Sequence, residues 1–199
     1  MNLPNKITVA RMLLIPIMII VPYLGLNNVL FGSVTIGSFI TLIIFLIASF
    51  TDFLDGYLAR RNNLVTTFGK FLDPIADKLL VLSALIMLVE QGIIPSWIPI
   101  IIAAREFIVS GIRMLAAGDG KVIAASWYGK VKTVSQMIAI SLAFLSTNTF
   151  MQFTSVEMST GALILNILMS LTMIVAVLTT ILSGVDYFMK SKDIVLKSK

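Results

Sequence analysis

The sequence contains neither histidine nor cysteine. It therefore cannot use an imidazole base, a Ser-His-Asp triad, a thiolate nucleophile, a disulfide or a zinc site made of Cys and His ligands. Charged residues are also scarce, at 13% of the chain, whereas an ordinary soluble domain has about 25%. Any acid-base or metal chemistry must therefore come from the few carboxylates that are present.

Apolar residues make up 58% of the 199 residues, and the mean hydropathy is +1.00. Several apolar runs approach the roughly 20 residues that a helix needs to cross a bilayer, and the charges cluster between them. This pattern predicts an all-α integral membrane protein with six transmembrane helices, in a single domain over residues 1–199. The predicted spans are about 7–25, 34–60, 71–91, 95–116, 127–147 and 159–189.

The basic residues predict which side of the membrane each connection faces. Lys and Arg are absent from 27–33, 91–95 and 147–159, and they are frequent in the alternate connections and near both ends. By the positive-inside rule, both termini and the basic connections lie in the cytoplasm, and Arg11 counts among these topology determinants. The first six residues are expected to form a short interfacial segment before the first span.

The net charge of +5 is spread over several short segments that flank the predicted spans. Such a distribution favours anionic lipids or phosphorylated substrates as partners, and it does not favour nucleic acid. Trp97 and Trp127 lie at predicted span ends, where an indole suits the interface between membrane and water. We therefore expect a structural role for both tryptophans.

Four aspartates form two pairs near the cytoplasmic ends of the second and third predicted spans. Asp52 and Asp55 are three residues apart and Asp73 and Asp77 are four apart, so each pair shares one helical face. Two antiparallel neighbouring helices would bring the four carboxylates to one level. Four such charges in a low dielectric must be protonated, face water or bind cations. Two divalent ions would balance them, and oxygen ligands favour Mg²⁺, Mn²⁺ or Ca²⁺ over zinc.

Small and basic residues accompany the acidic pairs. Gly56, Ala59 and Gly69 leave room for a ligand to approach the backbone. Arg60 adds a fixed cation that is suited to binding a phosphate. Cations and carboxylates around a space of phosphate size favour phosphoryl or phosphatidyl transfer. A polar packing cluster inside a helix bundle is the structural alternative.

From Asp52 to Asp77 the sequence follows the pattern D-x2-D-G-x2-A-R-x8-G-x3-D-x3-D. This pattern resembles the signature of the CDP-alcohol phosphatidyltransferase family at all eight specified positions. The resemblance covers most of the chain and implies the family's six-helix fold, with a metal site that opens to the cytoplasm. It also implies two Mg²⁺ or Mn²⁺ ions, CDP-diacylglycerol as a substrate, a homodimer, and a location in the cell membrane.

The same resemblance implies roles for individual residues. The metal ligands would be Asp52, Asp55 and Asp73, while Asp77 would contact metal and accept the proton of the attacking alcohol. The residues that would contact CDP-diacylglycerol are Gly56, Ala59, Arg60 and Gly69, with Asn5 and Thr8 as further candidates near its pyrophosphate. Capping of the helix start is the alternative interpretation of those last two residues.

A second basic group lies in the fourth and fifth predicted spans and consists of Arg105, Arg113, Lys130 and Lys132. Together these residues offer a second phosphate site, which favours a phosphorylated acceptor over serine, choline or ethanolamine. The surrounding stretches resemble the bacterial family members that make phosphatidylglycerophosphate, which implies that the four residues bind sn-glycerol 3-phosphate. Alternatively, Arg105 forms an ion pair with an acid of the bundle, and the other three determine topology.

Three other functions stay open at this point. A relative that uses inositol phosphate would share the same logic, and a noncatalytic membrane scaffold would leave the carboxylates unexplained. A divalent cation transporter would use the aspartates as part of a pathway. Such a path should stay polar across the membrane, but 36–47 and 80–89 are almost wholly apolar. The sequence therefore favours a dead-ended pocket.

Overall fold

The computed structural model describes residues 2–31, 34–61, 67–118, 127–146, 148–153 and 159–197. Six long helices form this part of the chain: α1 (Leu3–Ile20), α2 (Ile36–Arg61), α3 (Thr67–Glu90), α4 (Trp97–Gly118), α5 (Trp127–Leu145) and α6 (Thr160–Lys197). A 3-10 helix, Val21–Leu24, continues α1. Two short antiparallel strands, β1 (Val29–Phe31) and β2 (Val34–Thr35), precede α2.

The prediction of an all-helical fold is confirmed for the described residues, with differences at the ends of elements. α1 begins at Leu3 because Pro4, in the first turn, suits a helix start. Most of the predicted interfacial segment is therefore helical and continuous with α1. The predicted span ended near 189, and the helical structure of α6 continues beyond it to Lys197. The two strands were not predicted, because two or three residues are too few to show an alternating pattern.

Gly92 ends α3 and turns the chain toward α4. Its φ angle is +70°, a left-handed conformation that glycine adopts without a steric penalty. Its backbone N–H donates to the Val89 carbonyl at 2.9 Å, and the Ile93 N–H donates to the Leu88 carbonyl at 2.9 Å. These two bonds satisfy carbonyl groups at the helix end in the arrangement of a Schellman motif.

The helices pack into one bundle around an apolar core. α1 lies against α2 and α3, α6 lies against α4 and α5, and α2 contacts α5. The largest fully buried apolar side chains of the core include Phe45, Leu85, Leu88, Ile98, Ile140 and Phe144. Because α1 crosses both α2 and α3, its polar side chains can meet the aspartates of either helix.

Two described helical segments are long and apolar enough to cross a membrane, namely Asn5–Leu24 and Thr160–Lys192. α3 and α4 carry charged side chains along their length, such as Asp77 and Arg105, which lowers their hydropathy. Many large apolar side chains nevertheless face outward, as an environment of lipid requires. Examples on five helices are Ile17, Leu46, Ile86, Ile100 and Leu178.

Candidate active site

A buried arginine joins α1 to the first aspartate pair. Arg11 has no exposed surface, and its Nη1 donates to Asp52 Oδ1 at 2.6 Å. Its Nε donates to Thr51 Oγ1 at 3.3 Å. The Thr51 hydroxyl in turn donates to the Ala48 carbonyl at 2.7 Å, so its oxygen is oriented to accept from Arg11. The interpretation of Arg11 as a topology determinant is therefore incomplete, since it is an internal ion-pair partner.

The second aspartate pair also contacts α1. Thr8, one turn before Arg11, donates from its hydroxyl to Asp73 Oδ1 at 2.8 Å. Thr8 and Asn5 are both buried within α1, whose N-cap is Asn2. Capping of the helix start is therefore the wrong interpretation of these two residues. α1 thus contacts one acid of each pair.

Asp77 lies one turn after Asp73 on α3 and lines a cleft between α3, α4 and α5. Glu106 of α4 and Lys132 of α5 line the same cleft, and the Lys132 ammonium donates to Glu106 Oε1. The charged groups that act on Asp77 include the carboxylate of Asp52 and the ammonium of Lys132. Asp77 is therefore exposed to both negative and positive charge.

Glu106 is a site residue for which the sequence analysis made no prediction. The signal was an acid in the middle of a predicted span, where a carboxylate is costly unless it has a partner. Its partners are Lys132 and Arg105, whose Nη1 donates to Glu106 Oε1 at 2.8 Å. The alternative that Arg105 forms an ion pair within the bundle therefore describes the structure correctly.

Tyr187 of α6 holds both arginines of α4. Its buried ring lies 5.8 Å from the guanidinium carbon of Arg105 and 5.1 Å from that of Arg113, measured to the ring centroid. Arg113 Nη2 also donates to the Tyr187 hydroxyl, and Arg105 Nη2 donates to Ser183 Oγ. The sequence alone could not identify Tyr187, because a packing aromatic on a long apolar helix would look the same.

Lys130 lies on a different face of α5 from Lys132. Two residues along a helix are not neighbours on its surface, and Lys130 Nζ lies 5.9 Å from the centroid of the Trp127 ring. Trp127 and Lys130 line a separate apolar groove with Val131 and Val134. The structure thus brings Lys132 to the Asp77 cleft and does not bring Lys130 there.

The oxygen donors of Asp52, Asp73 and Asp77 fit a hard divalent cation. Among the described side chains, no three acidic groups are close enough to form a metal site by themselves. Gly69 is buried near the start of α3. The predicted site residues whose side chains lie outside the described part are Asp55, Gly56, Ala59 and Arg60.

The chain belongs to the CDP-alcohol phosphatidyltransferase family, which it matches over residues 1–182. Members of this family generally use divalent metal ions. The resemblance predicted from the aspartate spacing is thereby confirmed.

Several relatives share one name, CDP-diacylglycerol--glycerol-3-phosphate 3-phosphatidyltransferase. The Bacillus subtilis protein is 46% identical over 194 residues, which cover 96% of this chain and 95% of that protein. The Rickettsia felis protein is 39% identical over 191 residues, 96% of both chains. The Escherichia coli K12 protein is 37% identical over 172 residues, 83% of this chain and 89% of that protein.

Proposed function

We propose that this chain transfers the phosphatidyl group of CDP-diacylglycerol to sn-glycerol 3-phosphate, forming phosphatidylglycerophosphate and CMP. The names of relatives that match most of the chain support both substrates. The observation that carries the proposal is the cleft that Asp77 and Lys132 line together. A carboxylate and an ammonium group in one cleft support a proton acceptor that acts next to a cation able to bind a phosphorylated alcohol.

Asp77 is the proposed general base. Its carboxylate accepts the proton as the acceptor hydroxyl oxygen forms a bond to the phosphatidyl phosphorus. The bond between that phosphorus and the CMP oxygen breaks, and the electron pair leaves with CMP. Asp52, Asp55, Asp73 and Asp77 would hold two Mg²⁺ or Mn²⁺ ions. When bound, such ions stabilise negative charge on phosphate oxygens.

The nucleotide is proposed to bind between α1, α2 and α3. Thr8 is buried next to Asp73, and Asn5 is buried almost one turn earlier on the same helix. Gly69, four residues before Asp73, lies near the start of α3 and has no side chain to obstruct a ligand. The remaining proposed contacts are Gly56, Ala59 and Arg60.

Lys132 is the proposed first contact of the acceptor phosphate, because it lines the cleft with Asp77. Arg105 and Arg113 would add charge from α4, held in place by Tyr187. Lys130 faces a different groove, and its predicted part in acceptor binding has the least support. If the phosphate of the acceptor binds to these cations, the hydroxyl end of the acceptor would face Asp77.

The proposed enzyme is a homodimer of single-domain chains, each with six membrane spans and with both termini and the active site facing the cytoplasm. The apolar core argues against the alternative of a cation transporter. Phe45 and Phe144 pack with their ring centroids 6.1 Å apart, and both are buried in the core. Among the described residues, the apolar packing around these two rings offers no polar path for an ion.

Gly184→Ala is expected to raise the KM for sn-glycerol 3-phosphate about three- to tenfold, because small displacements of a binding group are costly. A Cβ at residue 184 would meet Arg105 Cγ at 3.3 Å, so the arginine must shift. The KM for CDP-diacylglycerol should stay the same. Steady-state kinetics with each substrate varied in turn will measure both values.

Gly111→Ala is the matched control, since a Cβ at that position in α4 meets nothing within 4 Å. It should change neither KM. If Gly184→Ala and wild type have equal KM values for sn-glycerol 3-phosphate, Arg105 is not part of the proposed acceptor site.

The proposed reaction is tested by comparing acceptors with the purified protein, CDP-diacylglycerol and Mg²⁺. CMP release is expected with sn-glycerol 3-phosphate and not with serine or inositol phosphate. Robust transfer to inositol phosphate or serine, with none to sn-glycerol 3-phosphate, would refute the assigned acceptor. If no acceptor releases CMP but protein in liposomes takes up Mg²⁺, the transporter alternative is correct.

A further inference from the structure

A buried cation lies beside the carboxylates that are proposed to bind divalent ions. Arg11 has no exposed surface, whereas the Asp52 side chain, whose Oδ1 lies 2.6 Å from Arg11 Nη1, keeps 38% of its surface exposed. The pair thus joins an inaccessible guanidinium to a carboxylate that still faces open space. Removing one partner of such a pair leaves an uncompensated charge, which is strongly destabilising.

The orientation of Arg11 is fixed from α2. Its Nε donates to Thr51 Oγ1 at 3.3 Å, and the hydroxyl of Thr51 is itself held by the Ala48 carbonyl at 2.7 Å. A guanidinium is planar with fixed donor directions, so two contacts define its position. Arg11 is therefore a positive charge held at a fixed position beside Asp52.

We infer that Arg11 is the built-in counter-ion of the acidic site: it compensates Asp52 while no divalent ion is bound, and it weakens the binding of that ion. The inference rests on the proposed metal-dependent function. Without a cation, the clustered carboxylates repel one another, and one guanidinium relieves part of that repulsion. A divalent ion and Arg11 carry like charges, so each lowers the affinity of the site for the other.

The inference predicts that removing Arg11 changes the metal affinity in the opposite direction from a role that only orients Asp52. If Arg11 only oriented Asp52, removing it would weaken metal binding, as loss of an outer-shell partner usually does. If Arg11 is a counter-ion, removing it strengthens metal binding. Thr8 provides the contrast on the same helix, because its neutral hydroxyl orients Asp73 without adding charge.

The direction of this change is measured by Mn²⁺ binding to the purified chain in detergent. The electron paramagnetic resonance signal of free Mn²⁺ follows the binding. Arg11→Met should bind Mn²⁺ at least about tenfold more tightly than wild type, and Arg11→Lys should stay within about threefold. Thr8→Val should not bind Mn²⁺ more tightly. Lys6→Met removes an exposed charge from the same helix and should bind as wild type does.

Unchanged or weaker Mn²⁺ binding in Arg11→Met would overturn the inference and leave the proposed reaction standing. Failure of the wild type to bind Mn²⁺ would overturn both the inference and the proposed metal chemistry. The two failures are therefore distinguishable without any measurement of turnover.

Thermal unfolding in EDTA gives a second test. It remains informative if Arg11→Met is itself unstable. Arg11→Met should unfold at a lower temperature than wild type in EDTA, and Mn²⁺ should restore the loss. Combining Arg11→Met with Asp52→Asn removes both charges and should recover most of the wild-type stability in EDTA. A double variant as unstable as Arg11→Met would show that Arg11 serves packing, and the inference would be wrong.

Discussion

Asp77→Asn is expected to lower the rate of CMP release by about 10²- to 10⁴-fold, the usual contribution of a general base. Asparagine keeps the shape of the side chain, but its amide cannot accept the proton of the acceptor hydroxyl. The substitution also removes one negative charge beside Asp52, so metal affinity should fall as well. Single-turnover release of CMP at saturating Mg²⁺ separates the chemical step from weaker metal binding.

Asp186→Asn is the matched control for this substitution. It makes the same chemical change on α6, where Asp186 pairs with Lys190 at 2.8 Å and does not line the cleft. It should release CMP at the wild-type rate. Retained lipid synthesis in Asp77→Asn, with an unchanged unfolding temperature, would contradict the proposed base.

Removal of divalent ions with excess EDTA should reduce turnover to below about 1% of its initial rate, because charge stabilisation by metal contributes several kcal/mol to such reactions. Added Mg²⁺ or Mn²⁺ should restore the rate. The oxygen donors of Asp52, Asp73 and Asp77 select hard cations of this type. The measurement is CMP release before chelation, in EDTA, and after each metal is added back.

EDTA that has first been saturated with Mg²⁺ is the control for effects of the chelator itself. It should leave turnover unchanged. Full turnover in excess metal-free EDTA would show that the aspartates do not act through a bound ion, and the proposed mechanism would then be wrong.

The sequence was sufficient to predict the acidic pairs because their geometry is local. Residues three or four apart on a helix share a face, so Asp73 and Asp77 needed no tertiary information to be placed together. The prediction of six helices rested on the same kind of local signal, since long apolar runs separated by charges specify helices by their length. Those two signals led to the family.

The parts of the site that the sequence could not predict depend on contacts between distant residues. Arg11 and Asp52 are 41 positions apart in the sequence, and Arg113 and Tyr187 are 74 apart. Only the packing of α1 on α2, and of α4 on α6, brings them together. Lys130 shows the converse case, in which residues close in sequence are separated by the fold. Lys130 and Lys132 lie on different faces of α5 and line different clefts.

The helix ends were also only partly predictable. Gly92 marks the end of α3, and the prediction of a span over about 71–91 came close to that end. The sequence has neither glycine nor proline between Gly184 and its end. The end of α6 therefore had to be inferred from charge, and charge alone does not end a helix.

The decisive measurement is the simultaneous quantification of CMP and phosphatidylglycerophosphate from the chain reconstituted in liposomes with CDP-diacylglycerol and Mg²⁺. We expect the two products to form in equal amounts after sn-glycerol 3-phosphate is added, and neither to form without it. Uptake of Mg²⁺ into the liposomes with no release of CMP would contradict the proposed transferase.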